Sequence, residues 1–192
     1  MLSGAALISL LILTSFTGAF GQQSVVVNKP LTKQEKQTIA AFDKRIKLYV
    51  KQRERVRARL PKLSKDATPE EIAANEKALM EGVRAARNGA KPGDLLTPDI
   101  AAQIRATLKE EFKGTDRKEI RKIVLEAETK GVPLRVNYPY PDAKEFVEMP
   151  ATVLLRLPTL PKQVKFRYVG RNLFIVDSDN NLIVDYMVDA LP

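Results

Sequence analysis

Cations crowd one short stretch of this chain: Lys44, Arg45, Lys47, Lys51, Arg53, Arg55, Arg57 and Arg59, with Glu54 the lone acid among them. On a helix, Lys47/Lys51, Lys51/Arg55, Arg55/Arg59 and Arg53/Arg57 are like charges at i,i+4, and each pair costs an isolated helix about 0.2–0.5 kcal/mol. A sequence that tolerates this repulsion has two physical outlets. Either Lys44, Lys47, Lys51, Arg55 and Arg59 hold an anionic surface, or Glu70, Glu71, Glu76 and Glu81 of a neighbouring helix neutralise them. Arg167 and Arg171 flank a turn and form a second anion-binding candidate, against the simpler reading of exposed strand and turn residues.

The acids offer less. Asp177, Asp179 and Asn181 have the alternate spacing of a calcium loop, which also requires a glycine next and a bidentate acid further on. Leu182 occupies the glycine position, so a polar hairpin turn explains the triplet better than a metal site does. Asp185 and Asp189 stand near Asp177, and paired carboxylates can hydrolyse glycosides. The chain has no tryptophan for a sugar platform, however. It also has no histidine and no cysteine. That removes the commonest general base, thiolate ligands, cysteine nucleophiles and disulfides. Beyond the first segment the serines are Ser24, Ser64 and Ser178, none in G-x-S-x-G or S-x-x-K, and no phosphate-binding glycine loop occurs. The reading is therefore of no catalytic residue and no cofactor.

These groups must be placed by helices first and strands second. Thr32 and Glu35 form a T-x-x-E capping box. Ile39, Phe42, Ile46, Tyr49, Val56 and Leu60 follow as one apolar stripe, with Arg53 in its single gap and Pro61 as the stop. Thr68-Pro69-Glu70-Glu71 opens a second helix with the stripe Ile72, Glu76, Leu79, Val83, Ala86, ended by Gly89. The stripes mirror one another about the connection, so an antiparallel hairpin is expected. It would pair Val56 with Ile72, Tyr49 with Leu79, Ile46 with Val83 and Phe42 with Ala86. It would also bring Arg53 to Glu76 as a register-setting salt bridge. Thr97-Pro98 starts a third helix that stops at Gly114, and Thr115 or Asp116 a fourth that stops at Gly131. Then come a strand at Leu134–Tyr138, a short helix at Pro150–Leu157, and strands at Val164–Val169, Leu173–Val176 and Leu182–Tyr186. The fold class is α+β, a long helical hairpin followed by a small antiparallel meander.

The whole chain is 192 residues long, 44% apolar, with a formal net charge of +9. Ala5–Phe16 is uncharged and apolar, of signal-sequence rather than membrane-spanning length, and Ala19 and Gly21 suit cleavage after Gly21. No Lys or Arg precedes this stretch, and Lys29, Lys33 and Lys36 follow it, which leaves a retained anchor as the alternative. The expected organisation is a signal peptide at 1–21, a flexible leader at 22–30, a helical region at 31–131 and a small α/β region at 132–192. An exported chain, periplasmic or extracellular, meets anionic polymer or lipid rather than nucleic acid.

The C-terminal skeleton runs Leu157-Pro158-Thr159-Leu160-Pro161, then F-R-Y-V-G-R-N-L from Phe166 to Leu173, then L-I-V-D from Leu182 to Asp185. It resembles a family of uncharacterised exported bacterial proteins. Its last thirty or so residues are more distantly similar to the closing hairpin of RcnB-type periplasmic proteins of nickel and cobalt homeostasis. The resemblance implies an envelope setting, and without histidine or cysteine no metal role carries over. The functional expectation is a non-catalytic exported domain that binds an acidic partner through its first helix. The alternatives are a carboxylate-based hydrolase and a structural module that self-associates.

Overall fold

A computed structural model describes residues 30–113, 134–140 and 151–191 of the chain. The expected signal peptide, the leader up to residue 29, the fourth helix and the 131/132 boundary lie outside the described residues. Three long helices come first: α1 (Lys33–Arg57), α2 (Pro69–Ala86) and α3 (Pro98–Glu111). A single turn, α4 (Ala151–Leu154), precedes the strands β1 (Val164–Val169), β2 (Asn172–Asp177) and β3 (Ile183–Met187). The architecture is α+β, with a three-stranded antiparallel sheet in the order β1-β2-β3 after the helices. Among the described residues no helix is long and apolar enough to cross a membrane.

Both expected capping boxes form. Thr32 N–H donates to Glu35 Oε2 at 2.7 Å while the Thr32 hydroxyl accepts from Glu35 N–H at 3.2 Å. Thr68 and Glu71 repeat the arrangement at 2.9 and 3.2 Å. Four otherwise partnerless N–H groups are thereby satisfied, which sets where each helix begins. Thr97 differs. Its hydroxyl makes no capping bond and instead accepts from Arg45 Nη2 at 3.1 Å, tying α3 to α1. Helix α1 ends at Arg57, a full turn before Pro61, and Gly89 takes the left-handed conformation (φ 87°) just beyond α2.

The hairpin is antiparallel, but its register differs from the expected one. Gln52 Nε2 donates to Ala86 O at 2.6 Å, and Asn75 Nδ2 to Pro61 O at 3.0 Å. Val56 lies against Gly82, where an added methyl would collide with it. Val56 was expected opposite Ile72, so the helices have slid by about ten residues, nearly three turns. The cause is the small surface at Gly82, which accepts the branched Val56 closely, whereas Ile72 stays exposed. Mirror-image stripes leave such slides open, because α2 buries only Leu79 and Val83 fully.

The sheet has two apolar faces. Leu173 and Ile175 of β2 join Phe166 and Tyr168 of β1 in the cluster that also holds Phe42, Ile46, Leu79, Ile100, Ile104 and Leu108 of the helices. Phe174 and Val176 point the other way, to Tyr140, Val169, Ile183 and Tyr186. The expected strand at Leu134–Tyr138 is instead a turn-bearing segment joined to the sheet by one bridge, Pro139 to Leu182. Asn137 N–H bonds Ile183 O at 2.8 Å, and Ile183 N–H bonds Tyr138 O at 2.8 Å. A positive φ of 61° at Asn137 breaks the extended run. The strand expected at Leu182–Tyr186 is observed as Ile183–Met187.

Candidate functional site

Strand alternation puts Asp177, the last residue of β2, on the same face as Leu173 and Ile175, pointing at the helices. It is fully buried. A bare carboxylate there would be prohibitively costly, and α1 supplies its partners. Tyr49 Oη donates to Asp177 Oδ2 at 2.8 Å and Arg53 Nε to the same oxygen at 2.7 Å. Asp179 N–H donates to Oδ1 at 3.1 Å, closing the turn after β2. Arg53, 2% exposed, also pairs with Asp179 and with its neighbour Glu54, and Arg57 reaches Asp179 from one turn further along. Burial, with help from Asp177, pushes the Tyr49 hydroxyl well above the usual tyrosine range. Burial works against the charged Arg53, but its bonds to Asp177 and Asp179 outweigh this and raise it.

The expected Arg53–Glu76 bridge is therefore not what forms. With α2 slid along α1, the residue opposite this part of α1 is near Ala86 rather than Glu76, and the guanidinium turns to the sheet instead. Asp177 and Asp179 are engaged by arginines, which opposes a cation at the Asp177/Asp179/Asn181 triplet. No cluster of three or more potential metal-binding acids occurs among the described residues. Asn181 (φ 53°) instead completes a tight turn, its N–H bonded to Asp177 O at 3.1 Å.

The other buried acid, Asp185, serves a second junction. It accepts Gly93 N–H at 2.9 Å and Leu95 and Leu96 N–H at 2.8 Å each, so the loop before α3 wraps its carboxylate. Of the three carboxylates considered for hydrolysis, Asp177 and Asp185 are thus taken up by structural bonds, and the third, Asp189, is exposed and pairs with Arg171. Arg87 fills the space between the junctions. It donates to Asn137 Oδ1 and Val184 O at 3.0 Å each and lies 5.2 Å over the Tyr49 ring. Burial draws its pKa below the usual guanidinium value.

The basic run is divided by this arrangement. Phe42, Ile46, Tyr49 and Arg53 face inward. Arg45 bonds Leu95 O and Thr97, and Arg57 is held by Asp179. Lys44, Lys47, Lys51 and Arg55 are exposed and fall on the opposite side of the helix, and Arg59 is exposed just beyond its end. Lys47 pairs with Asp43 at 2.6 Å. Among the described residues the other four have no ion pair, and Glu70, Glu71, Glu76 and Glu81 pair with none of these cations. The neutralising outlet is thus not taken. Of the second candidate pair, Arg167 Nη1 donates to Phe166 O, and Arg171 pairs with Asp189 at 3.4 Å.

Residue-type scanning missed Asp177 and Asp185 as interior groups. The alternation of β2 carried the signal for Asp177, since it continues the Leu173, Ile175 face. No side-chain pattern announces backbone amides around Asp185. No protein-family model, curated protein or solved structure matches this chain.

Proposed function

We propose that the protein is a non-catalytic exported domain of the cell envelope that rests the outward face of α1 on an anionic surface. The observation that carries this reading is the separation of α1 into two charge regimes. Inward arginines are consumed by Asp177 and Asp179, while Lys44, Lys51, Arg55 and Arg59 stay exposed without an ion pair among the described residues. Folding left the i,i+4 repulsion on this face uncompensated, and an anionic partner would relieve it. Export is supported by the apolar Ala5–Phe16 stretch with small residues after it, and by the resemblance of the C-terminal skeleton to exported bacterial proteins.

Lipid headgroups are the partner we favour. Leu48, 59% exposed, lies among Lys44, Lys47 and Lys51, and an apolar side chain ringed by lysines suits a membrane interface. The test is co-sedimentation of residues 22–192 with vesicles containing anionic lipid, in low and high salt. Binding should be lost in high salt, on neutral vesicles, and in the triple variant Lys47→Glu, Lys51→Glu, Arg55→Glu. Absence of binding at low salt ends the proposal. Binding to soluble anionic polysaccharide but not to vesicles would move the partner from lipid to polymer.

A further inference from the structure

A cleft of about 650 Å³ opens at the C-terminal end of α2, against the segment 134–138 and Tyr186 of β3. It is remote in sequence from the basic face of α1. Two arginines enter it from different elements, Arg84 from the last turn of α2 and Arg135 from the segment after the helices. Both guanidiniums lie on one ring: Arg84 Cζ is 5.6 Å and Arg135 Cζ 4.7 Å from the centroid of Tyr138. Neither makes an ion pair or a hydrogen bond among the described residues. Stacking of this kind orients a guanidinium and leaves its in-plane N–H donors unspent.

The cleft wall is held rigidly. Asn137, next to Tyr138, has a φ of 61°, the left-handed turn conformation that asparagine adopts more readily than most residues. It is fixed there from three directions: its N–H to Ile183 O at 2.8 Å, its Oδ1 from Arg87 Nη1 at 3.0 Å, and its Nδ2 to Arg87 O at 2.8 Å. Arg87 is itself buried and anchored on Val184. A buried arginine thus fixes the turn that presents Arg135 and Tyr138.

The one acid in the lining is Glu81, which pairs with neither arginine. Two cations against one anion leave the cleft net positive. Paired planar forks are suited to the oxygens of a phosphate or carboxylate group. The volume exceeds what a single ion needs and falls within the range of small-molecule sites. We infer that the cleft between Arg84 and Arg135 binds a small molecule through a phosphate or carboxylate group, independently of the α1 face.

The experiment is an NMR titration of residues 22–192 that follows the Arg84 and Arg135 side-chain Nε–H signals and the Tyr138 ring. Inorganic pyrophosphate is the probe in one arm and citrate in the other, at constant ionic strength. Saturable shifts at all three residues are expected in at least one arm, and the arm that responds distinguishes phosphate from carboxylate chemistry. Arg84→Gln and Arg135→Gln, both at accessible positions, should each weaken binding about ten-fold. Arg135→Lys should recover only part of it, because it restores charge without the fork. The α1 triple variant should bind the probes like the unaltered protein. Failure of both probes to shift these signals, or a Tyr138 ring shift that persists unchanged in the Arg84→Gln/Arg135→Gln double variant, would overturn the assignment.

Discussion

Asp177 and Asp185 lie on the same small sheet, one on β2 and one on β3, and both are fully buried. Their oxygens are satisfied by different means. Asp177 is surrounded by side chains from α1, a guanidinium and a phenol. Asp185 is surrounded by backbone N–H groups of the loop before α3. The first solution cancels charge with charge, and the second uses aligned peptide dipoles. Each joins a helix to the sheet, but they differ in what can replace them. A side-chain partnership can be exchanged for an apolar one as a unit. A ring of amides stays in place whatever the side chain, and always needs an acceptor.

The largest effect should come from Asp177→Ala. It leaves Arg53 buried with only the half-exposed Asp179 and Glu54, and should cost about 3–5 kcal/mol in urea unfolding. A loss below about 1 kcal/mol would mean the pair is not what fastens α1 to the sheet. Asp185→Leu follows at about 3 kcal/mol, because the amides of Gly93, Leu95 and Leu96 lose their acceptor. The distinction itself is tested by the triple variant Tyr49→Phe, Arg53→Met, Asp177→Leu. It should recover about 2 kcal/mol or more of the Asp177→Ala loss. No equivalent repair by side-chain exchange is expected at Asp185.

Tyr49→Phe alone should cost about 1.5–3 kcal/mol at neutral pH, the range for a hydrogen bond to a charged group. The Tyr49 pKa is raised on folding, by burial first and by Asp177 next. Its contribution is therefore complete below the unfolded tyrosine value near 10 and falls as pH rises through the higher folded value. The stability gap between the unaltered protein and Tyr49→Phe should narrow above pH about 10 and stay constant below it. Tyr168 supplies the smallest effect and the contrast to both acids. Its buried hydroxyl has no hydrogen-bond partner among the described residues. Tyr168→Phe should leave stability unchanged or raise it by up to about 1 kcal/mol, measured by thermal unfolding. A clear loss would show that this hydroxyl is satisfied like the carboxylates.

Local signals were legible. Thr32 with Glu35 and Thr68 with Glu71 mark helix starts because the capping partners lie three residues apart in the chain itself. Strand β1 follows from its own alternation and from Gly170, whose φ of 55° forms the turn. The candidate site was legible only in part. The outward cations of α1 follow from helical spacing. The partner of Arg53 did not, because it lies more than a hundred residues away and depends on how the hairpin slides. The Arg84, Arg135 and Tyr138 cleft left no motif, since each member is ordinary in its own segment.

What the chain determined by itself was the three long helices, the three strands of the meander, their order and the inward face of α1, all consequences of spacing within a few residues. Tertiary packing alone decided the hairpin register, the fate of each buried charge and the meeting of two arginines on one ring. Those outcomes turn on close contacts such as Val56 against Gly82, and on the cost of leaving a carboxylate dry and unpaired. Both act between residues that are neighbours only after folding.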